Sequence, residues 1–390
     1  MQVSDEVAKA LARLHPYEDW ITERQVEICA IPAPSFEEQP RAEHMRRLFG
    51  RLKLKHARLD AEGNAIAELP GDGPGVVAVT AHVDTVFPRN TPIEIRRDKG
   101  RLYGPGIADN GTGLAALVAL ARVLGEGKIP TRDTLMFVAN VGEEGVGNLR
   151  GMKHLLADAA LRERMRAILV VDGPGHEHIV TEGLGSRRFE VVFDGPGGHS
   201  WRDFGTVNPI CAMANAVSRI AALPLATEPR TACSVTECRA GTSVNSIPIS
   251  ASMKVDIRSG SEPEMARLAA RVAGIVNIAA SEETVRAGRG QLTCTINDIG
   301  HRPAASLPAG ARILGVIRDV DCQLGITSRL EQSSTDANVP LAMGLEAVCI
   351  GGGGSGGGTH SSSEWYDPAG RILGLRRLLM SALELAGVAA

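Results

Sequence analysis

The sequence predicts an α/β layer fold into which a smaller α+β domain is inserted, and three observations carry that expectation. Short apolar runs at 75–81 (GVVAVTA), 134–141 (TLMFVANV), 167–171 (AILVV) and 345–350 (LEAVCI) are rich in β-branched residues and bounded by Gly, Pro or Asp, the mark of buried strands. Helical patterns at 111–124, 151–165 and 369–387 alternate with them. From 186 onward the order becomes strand (186–195), helix (207–222), strands (232–240 and 250–258), helix (262–286) and strand (291–299). This βαββαβ series makes a small open sheet with helices on one face.

A chain of 390 residues exceeds one core of ordinary size, so two domains are expected. GLGS at 183–186 and the stretch 301–311 read as hinges, giving a discontinuous domain of 1–185 with 302–390 and an insert of 186–301. The first thirty residues are charged and helix-like with no apolar h-region, which argues against a secretory signal. No apolar stretch is long enough to cross a bilayer, so no membrane partner is expected. The net charge of −3, spread along the chain, argues against nucleic acid as a partner. Seven cysteines without a CxxC pair read as reduced thiols in a cytoplasmic protein.

The chemistry gathers where apolar runs give way to glycine-rich turns. His82 and Asp84 in AHVDTV lie two apart after the first run and so face one side, a possible metal ligand beside the acid that orients it. Asp109 in GPGIADNGTG precedes a helix, where it suits a metal or simply caps the helix. That segment approaches a dinucleotide fingerprint, but Asp109 takes the third glycine position, and no P-loop ending is present. Glu143 and Glu144 diverge between glycines, which permits one carboxylate on a metal and the other on a reacting water. Asp172 ends AILVV, and His360 follows the run Gly351–Gly358, read as close backbone approach rather than a linker. His176 and His178 in GHEH read as surface-loop residues. Two imidazoles with several carboxylates are the mixed set zinc accepts, and they are too many for one tetrahedral ion. With two ions, Asp109, Glu144, Asp172 and one solvent anion balance four positive charges and leave Glu143 free as a base.

With AHVDTV, the GEEG pair, VVDG, GGHS, NSIP, DIR, STDANVP and GGGGSGGGTHS in this order, the chain resembles the co-catalytic zinc hydrolases that include peptidase T, carboxypeptidase G and the aminoacylases. The resemblance implies a three-layer α/β/α catalytic domain on a mixed sheet, with the ferredoxin-like insert as lid and homodimerisation surface. It implies His82 and Asp172 on one zinc, Glu144 and His360 on the other, and Asp109 bridging, with manganese or cobalt as substitutes. Glu143 would then be the general base and Asp84 the partner of His82, and the Asp109–Asn110 peptide bond would be cis. Read from sequence alone, His199 is a turn histidine and Arg258 a strand-end cation. Only the resemblance makes His199 an oxyanion donor from the partner subunit and makes Asn245 and Arg258 substrate-binding groups.

An aspartate at position 172 resembles the aminopeptidase and dipeptidase branches, whereas the deacylases and the glutamate-releasing carboxypeptidase carry glutamate. Peptidase T differs in having an acidic residue where this chain has Asn110. The expectation is therefore hydrolysis of short peptides. The alternatives are an N-acyl-amino-acid deacylase or N-carbamoyl amidohydrolase, and a non-catalytic peptide-binding protein.

Overall fold

Two strands without a single exposed residue, Val76–His82 and Thr134–Asn140, form the centre of a mixed nine-stranded sheet in the computed structural model, which describes residues 5–127 and 129–388. A strand apolar on both faces needs cover on both, and parallel pairing supplies it through helical crossovers. Val76–His82 runs parallel to Thr134–Asn140 on one side and to Met165–Val171 on the other. Met165–Val171 in turn pairs in parallel with Ala347–Ile350. Antiparallel strands Ala65–Leu69 and Lys55–Leu59 extend one edge. Toward the other edge, His178–Gly183 lies antiparallel to Ala347–Ile350 and parallel to Arg329–Ser333.

The register decides where chemistry can collect. His82 pairs with Asn140 and Val171 with Ile350, so the parallel strands end nearly level and their following loops share one crevice. Helices Gly111–Gly127, Arg371–Ala386, Asp5–Leu14, Arg312–Leu324 and Gln39–Arg51 pack with Val77, Val79, Phe137 and Leu169 into one core. Gly111–Gly127 is apolar nearly all round because it is buried nearly all round. A separate small sheet orders Ser355–Gly357, Trp365–Asp367, Arg101–Tyr103 and Arg96–Asp98, joining residues some 260 positions apart in the chain.

The chain divides into two compact units: residues up to Gly183 together with those from Ser306 onward, and Leu184–Ala305. The second unit is an antiparallel sheet ordered Thr231–Ala240, Ser250–Ser259, Gly185–Asp194 and Thr293–Arg302. Every second residue along Ser250–Ser259 is buried, and Met253 and Val255 meet Ala216 and Val272 of helices Pro209–Ala221 and Glu262–Ala287. Ser261 caps the longer helix by accepting the Glu264 N–H, and Gly288 ends it at φ 71°.

Two expectations need correction. The helix expected over 151–165 is two, because Asp158 adopts an extended backbone and its carboxylate caps a second helix, Ala159–Arg164. His178 is no loop residue: it opens the strand His178–Gly183 and is half-buried, and burial pushes its imidazole pKa down. All seven cysteines are free thiols. Among the described residues, no helix is long and apolar enough to cross a membrane.

Candidate metal centre

Each strand-end loop holds its acidic or imidazole group through buried hydrogen bonds. The His82 ring is 2 % exposed, and its Nδ1 lies 3.0 Å from the Asp84 backbone carbonyl but 3.6 Å from the Asp84 carboxylate. Nδ1 therefore donates to the carbonyl, which makes Nε2 the nitrogen that would bind a ligand once its proton leaves. The Asp84 carboxylate is fully buried and accepts the N–H groups of Glu143 and Glu144, each at 2.9 Å, and the Ser35 hydroxyl at 2.8 Å. Gly142, at φ 69°, makes the turn that aims this glutamate pair.

Asp109 stands just before the helix Gly111–Gly127, and the peptide bond to Asn110 is cis. Asn110 caps that helix through the Gly113 N–H and donates to the Val171 carbonyl, tying the Asp109 turn to the strand that Asp172 ends. The glycine run is packed, not loose: a side chain at Gly351 would strike the carbonyls of Pro174 and Gly175, and one at Gly354 the Tyr366 hydroxyl. His360 beyond it holds a left-handed backbone at φ 63°.

The structure brings His82, Asp109, Asp172, Glu143, Glu144 and His360 together. Asp109 uses both oxygens: Oδ1 lies 3.1 Å from His82 Nε2, and Oδ2 lies 3.1 Å from His360 Nε2. Asp172 approaches His82 Nε2 at 3.5 Å and Glu144 approaches His360 Nε2 at 3.2 Å. Two candidate ligand groups result, His82–Asp109–Asp172 and Asp109–Glu144–His360, sharing Asp109. His82, Glu143 and Glu144 form a third overlapping group. Bonds of about 2.0–2.1 Å to a tetrahedral ion imply donor–donor edges of roughly 3.3 Å, so these spacings and this donor chemistry suit two zinc-sized cations.

The electrostatics agree. Burial would lower the His82 pKa, but hydrogen bonds to Asp109, Asp172 and Asp84 outweigh it and hold it well above the usual imidazole range. Contacts to Asp109 and then Glu144 raise His360 to about 10. Burial would raise Asp109, yet both histidines draw its carboxyl far below the usual range. Buried acids thus outnumber bases and attract positive charge.

Two acids here escaped the sequence reading. Asp336, in STDANVP, is buried, accepts from Asn140 at 2.6 Å, and is pushed up to about 7 by burial. Glu364, in the serine-rich turn after His360, is 0 % exposed. It accepts the N–H groups of Gly106 (2.9 Å), Ala108 (2.8 Å) and Asp109 (2.9 Å). The only hint was an acid spaced four residues from a candidate ligand.

His199, Asn245 and Arg258 belong to the unit Leu184–Ala305. His199 Nδ1 accepts the Trp201 N–H at 3.1 Å, so the ring proton sits on Nε2. The short pairing of Gly198–His199 with Ser246–Ile247 sets Asn245 beside it, with the Ser200 N–H donating to the Asn245 carbonyl at 3.0 Å. Arg258 is on the strand Ser250–Ser259 and donates through Nε to Asp256 at 2.8 Å.

A mixed α/β sheet ending in paired carboxylate–imidazole groups defines a class, the metal-dependent hydrolases. The chain belongs to peptidase family M20/M25/M40, whose profile matches residues 78–384. It is 28 % identical over 166 residues to a probable succinyl-diaminopimelate desuccinylase of Staphylococcus aureus, a match spanning 40 % of each chain. Among solved structures it resembles aminopeptidase PepT of Bacillus cereus, with a TM-score of 0.73 and 22 % identity over 95 % of this chain and 98 % of that one. A tripeptidase of Staphylococcus aureus is similar at a TM-score of 0.74 and 19 % identity, over 95 % and 98 %.

Proposed function

We propose that the chain is a two-metal peptidase that cleaves amide bonds of short peptides, with aminopeptidase-, tripeptidase- or dipeptidase-like action. The observation that carries this reading is Asp109, whose two oxygens each face one imidazole. His82 and Asp172 would hold one zinc, Glu144 and His360 the other, and Asp109 would hold both. Manganese or cobalt could replace either. Bound there, the cations supply a polarised scissile carbonyl and an attacking water of lowered pKa.

The chain's own groups do the rest. Glu143, 5 % exposed and outside the two candidate groups that share Asp109, takes the water's proton and returns it to the leaving amine. Asp84 fixes the direction of Glu143 through its backbone N–H and the His82 tautomer through its carbonyl. His199, protonated on Nε2, would donate to the developing oxyanion from the partner subunit, with Leu184–Ala305 as lid and homodimerisation surface. Asn245 and Arg258 would bind the substrate's polar groups or carboxylate. A cytoplasmic location fits seven free thiols.

One observation favours a second reading. The relative from Staphylococcus aureus is a probable succinyl-diaminopimelate desuccinylase, and a like activity here would make the substrate an N-acyl amino acid. Hydrolysis of tripeptides, dipeptides, N-acetyl and N-carbamoyl amino acids, assayed side by side with zinc, manganese or cobalt, tests both. A peptidase turns over substrates with a free α-amine; turnover confined to blocked amines reverses the assignment, and no turnover with metal bound leaves a binding protein.

A further inference from the structure

Asp109 can serve two ions only if its backbone is held while its carboxylate points two ways. The turn that carries it, Gly106–Asp109, directs three N–H groups at one carboxylate, and that carboxylate comes from the His360 loop, 255 residues away. Glu364 is wholly buried, and no solvent would replace it as acceptor. Its own backbone is tied to the same two places: its N–H donates to the Ser361 carbonyl at 3.2 Å, and its carbonyl accepts the Gly104 N–H at 3.0 Å. The far side of the turn is pinned independently, the Ile107 carbonyl accepting from Gln25 at 2.6 Å and Gln25 accepting from buried Arg371.

We infer that Glu364 is a positioning residue of the metal centre, locking the Asp109 turn to the His360 loop so that Oδ2 of Asp109 and Nε2 of His360 stay matched. The inference rests on reading the cluster as a metal site and deepens it. It also makes the effect of Glu364 asymmetric. The group Asp109–Glu144–His360 contains both clasped loops, whereas the group His82–Asp109–Asp172 contains only one of them, its His82 ending and its Asp172 following strands that Glu364 does not touch.

The test is titration of the metal-free full chain with Co2+, followed by visible absorption. The wild type should take up two equivalents. Glu364→Gln removes the charge and sets an amide N–H2 against the backbone donors. One of the two uptake steps should weaken by about 10–100-fold with an altered absorption band, while the other stays within a few-fold. Glu364→Asp, which keeps the charge but draws it back by one methylene, should weaken the same step less. Either variant, folded by circular dichroism, overturns the inference by binding both equivalents with wild-type affinity and spectrum, or by weakening both steps equally. Failure of both variants to fold also overturns it, since scaffolding would then account for the residue. A wild type that takes up no Co2+ instead removes the metal-centre reading itself.

Discussion

Glu143 and Glu144 are neighbours in sequence to which the proposed mechanism gives different tasks, and the difference is measurable. Glu143→Gln should keep two metal equivalents per chain by elemental analysis while kcat falls about 10²–10⁴-fold, the usual scale for a lost proton-transfer group. Glu144→Gln should lose metal as well. The imidazoles make a second prediction. His82 and His360 both hold their protons in the metal-free protein, so metal uptake at neutral pH should release about one proton per imidazole, readable by calorimetry in buffers of different ionisation enthalpy. For His360 the sign runs further. Its folded pKa, about 10, exceeds the ordinary 6.5, so its contribution to stability is fully present below about pH 6.5 and disappears as pH rises through about 10. Metal-free protein should lose stability across that window in urea titrations, and His360→Asn should flatten part of the slope. The ring is 53 % exposed, so solvent screening keeps the change small.

Secondary-structure elements explain why some of this was legible in the sequence and some was not. His82, Glu143, Glu144 and Asp172 stood out because each ends or follows an apolar strand, a pattern local to a few residues. The strand at His178 stayed hidden because its parallel partner, Arg329–Ser333, reads RLEQS and shows no apolar rhythm. Strands Arg101–Tyr103 and Trp365–Asp367 have three residues each, and only their mutual pairing across the chain defines them. Glu364 was invisible for the same reason: its partners are backbone groups, which no side-chain pattern records. The glycine run was read as close approach, and the elements around it supply the surfaces. Gly354→Ala would force a side chain onto Tyr366 and Asp367 at φ 72°, and it should cost about 1–3 kcal/mol in denaturant unfolding. Elsewhere, helix Arg371–Ala386 meets helix Arg312–Leu324 through buried Arg377, paired with Asp321 at 2.6 and 2.8 Å. Asp321→Ala should lower stability by about 3–5 kcal/mol, because it strands a buried guanidinium.

For the whole molecule, the division into two units has its own consequences. Residues 184–305 carry a separate apolar core, and both their helices begin at a side-chain cap. Expressed alone, this segment should melt cooperatively by circular dichroism; a molten, non-cooperative product would show that its core depends on the rest of the chain. Its loops also expose Trp201 (84 %), Phe204 (86 %) and Val244 (103 %), more apolar surface than a solitary module needs. Sedimentation of the full chain should therefore report a dimer, and Trp201→Glu should shift it toward monomer. The cross-ties between loops carry a different implication. Asp84, Asn110 and Glu364 each fasten one part of the crevice to another without help from any ion. Unlike a zinc finger, which falls apart when chelated, this protein should survive dialysis against EDTA with its shape intact. Such an emptied vessel could be refilled with whichever divalent ion is offered, so the metal found in a purified sample would report the supply it met as much as the protein's own preference.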